Sequence, residues 1–122
     1  MKLIQWLATD ELGHQAIDHE HRAVVDALNK AIRAFNNRNS EACSMAIENV
    51  VDVTKRHFLH EEALLIDLGY RGADFEDRAA YHNRLLTEAE KIAALCKTNQ
   101  RRDFLEGRLA ELIYFVVHEI RS

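Results

Sequence analysis

Val50-Val51-Asp52-Val53-Thr54-Lys55-Arg56-His57-Phe58-Leu59-His60-Glu61-Glu62-Ala63-Leu64-Leu65-Ile66-Asp67-Leu68 decides how this chain folds. Its apolar positions Val50, Val53, Leu64, Leu65 and Leu68 recur at helical spacing, and His57 and Glu61 fall on the same stripe. No glycine or proline interrupts the run, so one long amphipathic helix is expected. The same period appears in three other segments. Ile17, His21, Val24, Leu28, Ile32 and Phe35 share a face in the first. Phe75, Arg78, His82, Leu85, Leu86, Ala89 and Ile92 share one in the third. Leu105, Leu112, Phe115, Val116 and His118 share one in the fourth.

Polar clusters separate these segments. Residues 36–40 read Asn-Asn-Arg-Asn-Ser, with Ser40 a predicted N-cap; residues 69–74 read Gly-Tyr-Arg-Gly-Ala-Asp, with Asp74 as the next; residues 97–103 form a third loop. Short loops between long helices make neighbours antiparallel. The expected fold is all-α, an up-down-up-down four-helix bundle with an N-terminal arm. The arm spans 1–13 and the helices about 14–36, 40–68, 74–97 and 103–121, in a single domain over 1–122.

Composition supports this and removes several function classes. The chain has 122 residues, enough for one core, and only 4 glycines and no proline, too few breakers for many short strands. Its formal net charge of −4 argues against nucleic-acid binding, which needs a basic face. No apolar run is long enough to span a membrane, and residues 1–13 lack the pattern of a signal peptide. Cys43 and Cys96 do not make a disulfide framework; free thiols in a reducing cytoplasm are expected.

The unusual feature is the placement of polar residues. His21, His57 and His82 lie on the apolar stripes of three different helices, with Glu61 one turn after His57 and His118 near the end of the fourth helix. Burying such groups without partners costs several kcal/mol on the order of transfer data. A cation held by side chains from facing helices offsets that cost, and imidazole plus carboxylate suits iron, manganese or zinc. A single histidine on a helix face is usually a hydrogen-bonded core residue; a set of them in register with a glutamate is not. By the same spacing His14, His19 and His60 fall outside the cluster, His60 nearest its edge. Glu20 and Glu62, each adjoining a candidate ligand, are expected to point into solvent.

Two stretches resemble the hemerythrin family. Trp6…Leu12-Gly13-His14-x-x-Ile17-Asp18-x-Glu20-His21-Arg22 is similar to the family's Trp…Gly…Ile-Asp-x-Gln-His-Lys opening. His57-Phe58-x-x-Glu61-Glu62-x-Leu64-Leu65 is similar to its His-Phe-x-x-Glu-Glu-x-Leu-Met signature, and Gly69-Tyr70 follows where the family has Gly-Tyr-Pro. The resemblance implies two non-heme irons inside the bundle, held by five histidines and two bridging carboxylates, and dioxygen as the partner, carried, stored or sensed. By motif, His21 and His57 match the ligands of one iron, Glu61 a bridging carboxylate, and His82 and His118 two of three histidines on the other.

Two positions depart from the pattern. The third helix should read His-x-x-x-His and instead reads Arg78-Ala79-Ala80-Tyr81-His82. The fourth should carry an aspartate five residues after its histidine; counted from His118, that slot falls beyond Ser122. Arginine stays protonated and cannot ligate, so it either pairs with Glu61 or leaves the bundle end with its stem packed inside. The alternatives to two ions are therefore an incomplete site with one ion, or a metal-free interaction or sensory module. No enzyme is expected: the sole Glu-x-x-His lies at the arm junction (Glu11, His14), and no His-Glu-x-x-His or glycine-rich phosphate loop occurs. Sequence leaves the oligomeric state open.

Overall fold

The computed structural model describes residues 1–98 and 101–121. Among them lie four α-helices, α1 (Gln15–Asn36), α2 (Ser40–Asp67), α3 (Ala73–Thr98) and α4 (Arg102–Arg121), and no strand. Each helix packs against the next in chain order and α4 closes against α1, which makes the all-α four-helix bundle.

The ends of the helices follow from local chemistry. His14 caps α1, its Nδ1 accepting the Ile17 N–H at 3.2 Å. Asn39, not the expected Ser40, caps α2, its Oδ1 accepting from the Ala42 N–H at 3.0 Å. Asn39 wins because Ser40 is already helical, so its hydroxyl is one residue too late for the first turn's free N–H groups. Asp74 likewise lies inside the first turn of α3, where its charge favours the helix N-terminus. At the other end of α2, Gly69 takes φ 94° and its N–H bonds Ile66 O while Tyr70 N–H bonds Leu65 O. That paired closure needs a left-handed residue, which glycine supplies without strain. The third expected loop, 97–103, is described only at its ends; residues 99 and 100 lie outside the described residues.

The core runs the length of the bundle and is built from Val24, Leu28, Ile32, Ile47, Phe58, Ile92, Leu109 and Val116, all at most 2% exposed. Cys43 and Cys96 belong to it, as free thiols whose sulfurs meet at 3.5 Å between α2 and α3. Ser44 Oγ donates to Ala93 O at 2.8 Å beside them, so the two helices approach closely there.

The N-terminal arm is mainly extended, with one 3-10 turn at Ala8–Asp10. It is sewn to the bundle by side chains. Asn29 exchanges two hydrogen bonds with the Ile4 backbone, at 2.8 and 2.9 Å, as a strand neighbour would. Asp10 receives the Arg121 guanidinium at 2.9 and 3.0 Å, which ties the arm to the end of α4. Asp18 accepts the Leu12 and Gly13 N–H groups at 2.8 and 3.1 Å. That last pair lays Leu12 across one end of the bundle, over the polar cluster.

Candidate metal centre

The cluster is assembled from all four helices at the end opposite the cysteine pair. α1 brings His21, α2 brings His57 and Glu61, α3 brings His82 and Arg78, and α4 brings Glu119. His21, His57 and His82 are buried, as their places on the apolar stripes require. Their ligating atoms fall into two groups, His21 with His57 and Glu61, and Glu61 with His82 and Glu119; within each group they lie within 4.8 Å of one another. Glu61 is common to both. Its Oε2 faces His57 Nε2 at 3.3 Å, and its Oε1 lies 3.8 Å from His82 Nε2.

His21 Nε2 and His57 Nε2 meet at 3.1 Å. Behind His57, Glu20 Oε1 takes Nδ1 at 3.1 Å. Behind His82, Glu62 Oε2 takes Nδ1 at 2.8 Å, while Nε2 faces Glu119 Oε1 at 2.9 Å. Each of these two imidazoles is thus held by a carboxylate on its far nitrogen, which fixes that proton and aims Nε2 at the cluster. Phe58 holds the His82 ring from the side, its own ring stacked on it at 3.8 Å and 10°.

These placements correct the expectations for Glu20, Glu62 and His118. Glu20 and Glu62 do not point into solvent; the helices pack closely enough that a side chain beside a ligand on one helix reaches the ligand of the next. His60 lies outside the cluster at its edge, where the spacing put it, and pairs with Glu20. His118 is not brought to the cluster: it is exposed and its ring stacks on Tyr114 at 6.1 Å. The reason is helical phase. The buried stripe of α4 runs Leu109, Leu112, Val116, Ile120, and Glu119 lies three residues after Val116 on its border, whereas His118, two residues after Val116, faces away. Phe115, 38% exposed, had drawn the expected stripe round toward His118. The α4 carboxylate that faces the cluster is Glu119. Five residues before it stands Tyr114, an exposed side chain and not a histidine.

Arg78 pairs with the cluster. Its Nη1 donates to Glu61 Oε1 at 2.9 Å and lies 3.5 Å from Glu119 Oε1. A cavity of about 210 Å³ is walled by His21, His57, Glu61, Arg78 and Glu119 on its polar side and by Leu12, Ile17, Leu64, Leu65 and Ile120 on its apolar side.

The titration of these groups follows their neighbours. Burial alone lowers His57, but hydrogen bonds to Glu61 and Glu20 outweigh it and hold the imidazole above its ordinary value. His82 is raised in the same way, burial being overcome by Glu119 and Glu62. His21 has no such carboxylate on its ring and is lowered, by burial and by His57 beside it. Burial raises Glu61 and Glu20, but their histidine partners overcome it and keep both carboxyls below the ordinary value.

The family model described as the Hemerythrin HHE cation binding domain matches residues 12–122. The chain belongs to the hemerythrin family. It is 34% identical to the bacteriohemerythrin of Pseudomonas aeruginosa over 71 residues, 58% of this chain and 46% of that protein. To the bacteriohemerythrin of Stenotrophomonas maltophilia it is 34% identical over 70 residues, 57% of this chain and 46% of that protein. The chain spans about half the length of the curated relatives it matches. Membership implies non-heme iron as the resident metal, and the donor set fits it. Two buried imidazole nitrogens converge at 3.1 Å with a carboxylate beside them, a hard-to-intermediate set suited to a first-row dication. Among the described residues no helix is long and apolar enough to cross a membrane.

Proposed function

We propose that this hemerythrin-family protein holds ferrous iron among His21, His57 and Glu61 and binds dioxygen at that place, for carriage, storage or sensing and not for turnover. The observation that carries the reading is the 3.1 Å approach of His21 Nε2 to His57 Nε2, with Glu61 Oε2 3.3 Å from the latter. Two imidazole nitrogens so close share at most one proton between them, and a cation coordinated by both satisfies them fully. Iron, when bound, supplies the electrons and the open coordination that dioxygen requires. The chain's own residues do the rest. Glu20 keeps the His57 proton on Nδ1. Leu12, Ile17, Leu64, Leu65 and Ile120 give the cavity an apolar side that limits water at the ion. The free thiols Cys43 and Cys96 fit a reducing, cytoplasmic location, and the net charge of −4 disfavours nucleic acid as a partner.

The test is an anaerobic titration of the full chain with ferrous iron, followed by cycles of dioxygen and argon. Iron should raise the melting temperature, since a ligand of the native state must stabilise it. Dioxygen should produce an absorption change that argon reverses. His57→Ala should lose both responses. A chain that binds no iron, or an iron-loaded chain whose spectrum ignores dioxygen, contradicts the reading.

A further inference from the structure

Glu61 and Glu119 bring two carboxylates together beside His82, and that arrangement calls for a positive charge. One is already there. Arg78 Nη1 lies 2.9 Å from Glu61 Oε1 and 3.5 Å from Glu119 Oε1, and Glu119 Oε1 also receives His82 Nε2 at 2.9 Å. We infer that Arg78 is a built-in second cation: its guanidinium fills the position between Glu61 and Glu119, so the wild-type centre takes a single metal ion, at His21, His57 and Glu61. This rests on the iron reading above and adds to it the number of ions.

Three observations support the inference. The two candidate groups are unequal, because Arg78 engages the Glu61 oxygen that faces His82 and leaves the one that faces His57. Glu61 therefore serves an ion on one side and a guanidinium on the other without competition. Arginine does not lose its proton at any accessible pH, so it neither ligates nor becomes neutral to admit a second dication. The donors of the second group are few. α3 offers Arg78 one turn before His82, and α4 offers the exposed, His118-stacked Tyr114 one turn and a residue before Glu119. Among the described residues only His82, Glu61 and Glu119 remain there, and each is already paired: Glu61 accepts from Arg78 at 2.9 Å, Glu119 faces His82 at 2.9 Å, and Arg78 lies 3.5 Å from Glu119. The Arg78 side chain is 44% exposed, so it reaches in from the rim and can be removed without opening a core cavity.

The test measures bound metal per chain, by elemental analysis after anaerobic loading with ferrous iron and gel filtration, for the wild-type chain, Arg78→Lys, Arg78→Ala and Arg78→His. Electron paramagnetic resonance of the same proteins loaded with manganese(II) distinguishes isolated from coupled ions. The wild type and Arg78→Lys should hold one ion, with an uncoupled six-line manganese signal. Arg78→His should approach two, with the coupled signal of a pair, and Arg78→Ala should gain a weaker second ion. A role in surface stability alone changes neither count nor coupling. Two ions in the wild type overturn the inference and leave the iron reading standing. A count that stays at one in both Arg78→His and Arg78→Ala also overturns it. A wild type with no ion overturns both.

Discussion

Glu20 holds His57 from behind: its Oε1 lies 3.1 Å from His57 Nδ1, and its other oxygen pairs with His60 on the next turn of α2. The contact joins α1 to α2 at the point where the first ion is proposed to sit. Removing its charge frees the His57 ring to rotate and to exchange its tautomer. Glu20→Gln should weaken ferrous binding by roughly 10- to 100-fold, the usual effect of losing a carboxylate behind a metal-bound histidine. Glu62 stands in the same relation to His82, at 2.8 Å. If Arg78 fills the second position, Glu62→Gln should change iron affinity far less than Glu20→Gln. Isothermal titration with ferrous iron under argon compares the two, and equal losses count against unequal sites.

His118 and Glu119 are adjacent in sequence and opposite in consequence. Glu119 accepts from His82 at 2.9 Å and faces Arg78, with its side chain 11% exposed. Glu119→Gln keeps an acceptor but removes the carboxylate charge that Arg78 and His82 face, and should destabilise the metal-free protein by about 1–2 kcal/mol. His118→Ala, on the exposed face, should stay within about 0.5 kcal/mol of wild type. Thermal or urea unfolding of the two variants reads the difference; the reverse order would place His118 inward.

Phe58 lies between the two histidines of α2 and α3, stacked on His82 at 3.8 Å and 5.9 Å from the His57 ring. It is 1% exposed, so its loss is both a packing and an orienting defect. Phe58→Leu keeps most of the volume and should cost about 1–1.5 kcal/mol, the worth of an aromatic pair plus a small shape change. Phe58→Ala should cost about 3–5 kcal/mol, because a cavity is left as well. Chemical unfolding measures both, and nuclear magnetic resonance of the His82 ring should broaden in either variant.

The metal-free protein should be most stable between pH 4.5 and 6.5, the ordinary values of the carboxyl and imidazole groups concerned. His57 and His82 bind protons more tightly folded than unfolded, so their contribution is complete below pH 6.5 and fades as pH rises through their raised values. His21 has the opposite sign and offsets part of that loss. Glu61 and Glu20 are lowered, so their contribution is complete above pH 4.5 and fades as pH falls through their folded values. Melting temperatures of the metal-free chain from pH 4 to 8 should therefore pass through a maximum inside that window. Iron should reverse the alkaline side of the curve, because ligation favours the deprotonated imidazoles.

Much of the fold was legible because the chain has so few breakers. Long stripes such as Val24-Leu28-Ile32 and Leu85-Ala89-Ile92 left few alternatives to helices. The His57 and Glu61 pair was legible for the same reason, since spacing of four residues puts both on one face. What escaped was whatever depends on how helices meet. Glu20 and Glu62 look solvated on their own helices, and only the approach of α1 to α2 and of α2 to α3 turns them inward. The phase of α4 escaped because Phe115 is apolar yet exposed, and the true stripe through Leu109 and Val116 passes beside Glu119. Arg78 could be assigned two places from sequence; the 2.9 Å contact with Glu61 selects between them.

The most direct test of the central claim is anomalous scattering at the iron edge from crystals of the ferrous-loaded full chain. A peak within bonding distance of His21 Nε2, His57 Nε2 and Glu61 Oε2 is predicted, with the Arg78 guanidinium retained between Glu61 and Glu119. Iron bound elsewhere on the chain, or no anomalous peak among those three side chains, would contradict it.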